Sequence, residues 1–176
     1  MEKWFTSDTH WGHKNIVDFC KRPYASVEEM NEALIDNWNA CVKPRDEIYH
    51  LGDVCFTGSI AFLERLNGRI HFIRGNHDKR FVRLLERVKP TNVEWIRHYH
   101  EIRDGGQLAA VLFHYPLGAW NCGHYGSMCL HGHSHGSYPF SYPRSRENGK
   151  IIDVGVDCWN YRPVSWAELK ELGSSL

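Results

Sequence analysis

The chain lacks net charge: lysine plus arginine and aspartate plus glutamate each number 21 among its 176 residues. A balanced field exerts no general pull on nucleic acid or an anionic membrane, which leaves only local patches to act. The six cysteines, at 20, 41, 55, 122, 129 and 158, include no Cys-x-x-Cys pair. Thiolate zinc clusters and thioredoxin-type redox chemistry therefore have no support. No run is apolar enough to span a bilayer, and no apolar signal segment opens the chain, which enters a strand-like run at once with Lys3-Trp4-Phe5-Thr6. The expectation is a cytoplasmic protein without membrane association, its cysteines reduced and acting as small core residues. There is also no internal repeat and no interdomain linker, so one domain over residues 1–176 is expected.

What is present fits a folded enzyme-sized unit. A hydrophobic fraction of 42% and an aromatic fraction of 13% are globular values. The length suffices for a core without disulfides. Histidine is the outlier, with twelve copies, a number that directs attention to metal binding without saying which ones serve.

Residues 3–7 read as a strand ending at Asp8, followed by a polar loop. Ser26-Val27-Glu28-Glu29 has capping-box spacing, and Val27, Met30, Leu34, Trp38 and Cys41 recur at helical spacing, predicting a helix of about three to four turns. Residues 47–51 read as a second strand leading to Gly52-Asp53. Ile60, Leu63 and Leu66 mark a helix closed by Asn67-Gly68, and 69–74 a third strand opening into Gly75-Asn76-His77-Asp78. Phe81, Leu84, Leu85 and Val88 predict another amphipathic helix. Residues 93–103 and 107–114 read as two strands of a hairpin joined by Asp104-Gly105-Gly106. Short strands follow at 127–131 and 151–156, separated by long loops at 115–127 and 136–149, and a second capping box at Ser165 starts a last helix. Alternating strands and helices followed mainly by strands indicate an α/β sandwich in which helices cover two packed sheets.

The chemistry-bearing pieces stand mostly just after those strands. Asp8-Thr9-His10 and Gly52-Asp53 are weak signals taken singly: alone, the first reads better as a surface pair, and the plain reading of the second is a turn. Gly75-Asn76-His77-Asp78 is rarer: the amide offers a neutral oxygen to a cation, and the next histidine can hold a proton. Gly132-His133-Ser134-His135 sets two imidazoles two residues apart. The collective order, with His114 between, is far more specific than any part.

That order resembles the calcineurin-like metallophosphoesterase superfamily over residues 4–135, and 7–13 with the Ser26 helix resemble a compact bacterial and phage branch of it. The resemblance implies a four-layer α/β sandwich of two mixed β-sheets flanked by helices. It implies two divalent metal ions, manganese, iron, zinc or nickel. Asp8, His10 and His135 would hold the first; Asn76, His114 and His133 the second; Asp53 would bridge both. Physical chemistry agrees: a bridging carboxylate holds cations roughly 3.5–4 Å apart, and a shared water loses its proton near neutral pH to become the nucleophile. His77 would protonate the leaving oxygen, with Asp78 orienting its ring, capping the following helix, or both. The sequence departs from the protein-serine/threonine phosphatases of the superfamily, since Gly52-Asp53 continues into Val54-Cys55-Phe56 without their acidic and arginine-bearing segment.

Beyond these, His13, His124 and Arg162 are candidate substrate contacts; each also reads as an ordinary surface residue. Lys79, Arg80, Arg83 and Arg87, and Arg144, Arg146 and Lys150, read first as solvated faces and second as phosphate tracks. Tyr115, Trp120, Tyr125, Tyr138, Phe140 and Tyr142 either stack a base or hold their loops together. The leading expectation is a dinuclear metal-dependent hydrolase of a phosphate ester, a phosphodiester or nucleotide-type substrate such as a nucleic-acid end, with no obligate protein partner. The alternatives are a phosphomonoesterase on small metabolites or phosphoproteins, and a non-catalytic metal-binding scaffold.

Overall fold

The computed structural model describes residues 1–145 and 150–174. Strands β1 (Lys3–Thr6), β2 (Glu47–His50), β3 (Arg69–Ile73) and β4 (Val93–Arg97) pair in parallel. Strands β5 (Tyr99–Asp104), β6 (Gln107–Phe113), β7 (Met128–His131) and β8 (Ile151–Asp153) form a second sheet in that order, antiparallel only between β5 and β6. Strand β9 (Val164–Ser165) returns to the first sheet, antiparallel to β1, completing the order β4-β3-β2-β1-β9. With helices α1 (Lys14–Phe19), α2 (Val27–Cys41), α3 (Lys79–Val88) and α4 (Trp166–Ser174), the expected two mixed sheets flanked by helices are present.

Side-chain alternation explains the layering. Along the first sheet Ile48, Ile70 and Phe72 face a core shared with Met30, Leu34 and Trp38 of α2 and with Phe81 and Leu85 of α3. Their neighbours Phe5, Tyr49 and Ile73 point the other way, into a core with Leu112, Leu130 and Ile152 of the second sheet and Leu169 of α4. Strands apolar on both faces are buried between layers, as parallel sheets require. The outer face of the second sheet, Val111, Cys129 and Ile151, is covered by Leu117, Trp120 and Tyr138 from the long loops.

Both capping boxes form. Glu29 N–H donates to Ser26 Oγ at 3.1 Å, while the Glu29 carboxylate returns to Ala25 N–H, one residue before the cap. Ser165 and Glu168 bond reciprocally, Ser165 N–H to Glu168 at 2.8 Å and Glu168 N–H to Ser165 Oγ at 3.2 Å.

Three readings are corrected. Residues 93–103 are not one strand: the chain breaks at His98, β4 joins the first sheet and β5 the second. Ile96 packs in the first core while Ile102, an even number of residues on, packs in the second, so the facing switches across the break and the partner strands distinguish the halves. The segment after Ile60 is a five-residue 3-10 helix, Ala61–Arg65. The polar loop after Asp8 contains α1, and β9 was too short to show a period.

Candidate metal centre

Asp8, Asp53, residues 75–78, His114 and 132–135 follow β1, β2, β3, β6 and β7, the carboxyl ends of parallel strands, where α/β sheets gather their ligands. Hydrogen bonds tie the strand ends within each sheet, Asp8 N–H to Gly52 O at 3.0 Å and Gly132 N–H to His114 O at 3.0 Å, and join the two sheets, Val156 N–H to Ser7 O at 3.0 Å. The backbone here is strained. Asp8, His10, Asp53, His133 and His135 all have φ between 46° and 69°, a region non-glycine residues enter at a cost of order 1–3 kcal/mol. Such strain persists where surroundings over-determine it, and here it falls on residues of both donor groups. Two glycines permit the close approach: a Cβ on Gly75 would collide with Asp53, and one on Gly132 with Ser7 and Asp8.

Asp8, His10 and His135 present ligand atoms within 4.8 Å of one another. Asp8 Oδ1 and both ring nitrogens of His10 are buried without a hydrogen-bond partner. Buried unpaired polar atoms are costly, about 1–3 kcal/mol each, so a cation fits here by the chemistry of the donors. Burial pushes His10 down to about 2, which keeps the imidazole neutral and its lone pair free. Burial raises Asp8 to about 7, with His135 and His114 opposing, so without a counter-cation this carboxylate is reluctant to ionise.

Asp53, His114 and His133 form the second such group, also within 4.8 Å. His114 Nδ1–H donates to Leu51 O at 2.7 Å, which turns Nε2 toward Asn76 Oδ1 at 2.9 Å and Asp53 Oδ2 at 3.6 Å. Carbonyl bonding of the far ring nitrogen is what orients metal-binding histidines. Burial opposes a proton on His114, yet the Asp53 hydrogen bond and the Asp8 and Asp53 charges raise it above its ordinary value. The same acceptors would attract a cation. Asp53 Oδ2 also lies 3.9 Å from His10 Nε2, so one carboxylate oxygen stands between the groups. Burial would raise Asp53, but His114, the His77 N–H and His10 hold it down near 2, ionised.

His77 is exposed beside the groups, its ring 6.3 Å from that of His10 and 5.2 Å from Phe56, and its N–H donates to Asp53 Oδ1 at 2.9 Å. Asp78 serves differently from expectation. Its buried carboxylate accepts Asp53 N–H at 2.9 Å, Val54 N–H at 2.8 Å and Gly75 N–H at 2.7 Å. It makes no side-chain cap for α3 and no hydrogen bond or ion pair to the His77 ring; it ties the Gly52-Asp53 turn to the Gly75 turn.

His13 is at the centre's rim, stacked on Phe56 at 4.1 Å and 5.6 Å from His10. His124 and Arg162 are not. His124 precedes β7, at the end opposite His133, and packs at a tilt 4.1 Å from Tyr125, which lines a groove with Asp104 and Gln107 of the β5–β6 turn. Arg162 is held by Glu168 at 2.7 Å, at the start of α4. Lys79, Arg80, Arg83 and Arg87 are exposed on α3, as are Arg144 and Lys150; Arg146 lies outside the described residues. Of the loop aromatics, Tyr115 alone meets a donor, 4.7 Å edge-on to His133. Trp120 bonds Ser127 and covers the second sheet, and Tyr138 packs beside it.

Several partners escaped the sequence reading. Asp157 Oδ2 accepts from His135 Nδ1 at 2.6 Å, and Arg22 grips Asp157 through two bonds of 2.8 Å. Asp153 accepts from Ser134 Oγ at 2.6 Å and Gly136 N–H at 2.9 Å, shaping the last histidine turn. His50 accepts Gly52 N–H at 3.2 Å and faces Thr9 Oγ1 at 2.8 Å, which donates to Val54 O. None has a local motif; Asp157 lies 135 residues from Arg22.

An α/β sandwich whose strand ends carry two neighbouring histidine–carboxylate groups suits divalent cations. The chain belongs to the calcineurin-like phosphoesterase family, whose profile matches residues 1–167. It is 37% identical over 164 residues to the uncharacterized protein MJ1445 of Methanocaldococcus jannaschii, covering 90% of this chain and 84% of that one. It is 28% identical to the gene 66 protein of Mycobacterium phage L5, covering 96% of this chain and 92% of that one. The crystal structure of the protein of unknown function AQ665 from Aquifex aeolicus matches with a TM-score of 0.73 at 25% identity, covering 97% and 98% of the two chains. Family membership implies metal-dependent hydrolysis of a phosphate ester. No helix among the described residues is long and apolar enough to cross a membrane.

Proposed function

We propose that the chain is a dinuclear phosphoesterase acting on a phosphodiester or nucleotide-type substrate. The observation that carries this is Asp53 Oδ2, 3.9 Å from His10 Nε2 and 3.6 Å from His114 Nε2. Asp8, His10 and His135 would hold one cation, Asn76, His114 and His133 the other, with Asp53 shared between them. Nitrogen and oxygen donors without thiolate suit manganese, iron, zinc or nickel. Bound there, two divalent cations polarise the phosphate and activate water near neutral pH. His77, exposed at the edge and free of a carboxylate partner, delivers a proton to the leaving oxygen.

A row of rings supports a substrate bearing a base or aryl group. Phe19 is 73% exposed and sits 6.5 Å edge-on from His13, which stacks on Phe56, which meets His77. An exposed ring continuous with the centre offers a stacking surface.

The test is manganese-dependent cleavage of bis-aryl against mono-aryl phosphate by the wild type and Asp53→Asn. Expected are diester preference and a drop of at least about 100-fold in the variant. Mono-ester preference would replace the reading by a phosphomonoesterase, and absence of any cleavage by a scaffold.

A further inference from the structure

Arg22 is 4% exposed, and its guanidinium bonds the backbone of the Asp8-Thr9-His10 turn and the carboxylate of Asp157. Nε and Nη2 fork onto the two oxygens of Asp157 at 2.8 Å each. Nη2 also donates to Asp8 O at 2.7 Å, and Nη1 to Thr9 O at 3.0 Å. The first bond closes on the residue that contributes a carboxylate, the second on the peptide leading into His10. Asp157 in turn accepts from His135 Nδ1 at 2.6 Å, which aims Nε2 of that ring toward Asp8 and His10.

We propose that Arg22 and Asp157 are positioning residues for the first cation alone, so that the two metal positions are built to unequal affinity. This rests on the dinuclear reading. A planar fork matches a carboxylate in a fixed orientation, and burial makes that orientation costly to leave. A carboxylate on the far nitrogen fixes a metal-binding histidine's tautomer and ring direction. The strained Asp8-Thr9-His10 turn receives its support from the same cation, through its carbonyls. Among the described residues the second group has no counterpart: Asn76 and His133 are exposed, and the His114 ring is held by a neutral backbone carbonyl. Cys20 also approaches His135 and Asp157.

The experiment is calorimetric titration of Mn²⁺ into the EDTA-stripped full chain. The wild type takes up two ions. Asp157→Asn weakens one binding constant about 10- to 100-fold and leaves the other within a few-fold, and excess Mn²⁺ restores its turnover. Arg22→Lys, which keeps the charge and loses the fork, does the same to a smaller degree. Melting of the stripped proteins monitors folding; if either single variant fails to fold, the neutral pair Arg22→Gln with Asp157→Asn replaces it. Both constants unchanged, both falling together, or no rescue by excess Mn²⁺ would overturn the inference while leaving the dinuclear reading intact. Fewer than two ions on the wild type would overturn both.

Discussion

The backbone N–H of His133 donates to Oδ2 of Asp8 at 2.9 Å, across 125 residues of sequence. One residue assigned to each cation is thereby joined to the other, and the two sheets share a single centre. The contact exists because Gly132 has no side chain.

Gly132→Ala should break that junction. The added methyl would collide with Ser7 Oγ and Asp8 Oδ2, and overpacking of this kind costs about 1–3 kcal/mol. A lower melting temperature and less than two manganese ions per chain by elemental analysis are expected; a variant with full metal content would refute the junction.

His77→Ala should keep its metals, since no donor group contains it. Turnover should fall about 10²- to 10⁴-fold for esters with alkyl leaving groups and much less for p-nitrophenyl esters, which depart without a proton. Equal losses for both would remove His77 from proton donation.

Phe19→Ala should leave the core unchanged, because that ring is largely exposed. Loss of one stacking partner is worth about 1–3 kcal/mol, so kcat/KM for a nucleotide-type diester should fall about tenfold. A methyl phosphate diester should be hydrolysed as before. Parallel losses on both substrates would argue against a base-stacking surface.

Acid should destabilise the stripped protein partly through His50. Burial pushes His50 down to about 3, against about 6.5 in an unfolded chain. Between those values only the unfolded chain binds the proton, so this stability is full above pH 6.5 and is lost as pH falls toward 3. Asp8, raised to about 7 by burial, acts in the opposite sense. The test is therefore the difference between wild type and His50→Gln in urea unfolding at pH 7 and pH 5. The wild type should lose on the order of 1–2 kcal/mol more than the variant over that interval. Identical pH slopes would dismiss His50.

The sequence by itself carried the layered α/β arrangement and the residues that the fold gathers at its strand ends. Asp8, His10, Asp53, Asn76, His114, His133 and His135 stand in short motifs at strand ends, and periods of two and 3.6 survive in Phe5, Ile48 and Phe72 or in Met30, Leu34 and Trp38. Such signals are local, because strand exits and apolar faces are set within a few residues. Tertiary structure alone decided that β4 and β5 part at His98, that Asp78 binds turns and not the His77 ring, and that His124 and Arg162 face elsewhere. It also brought Arg22 and Asp157 to His135. A carboxylate's partner depends on which distant backbone or guanidinium the packed layers deliver to it, and neither residue carries a mark of that in its neighbours.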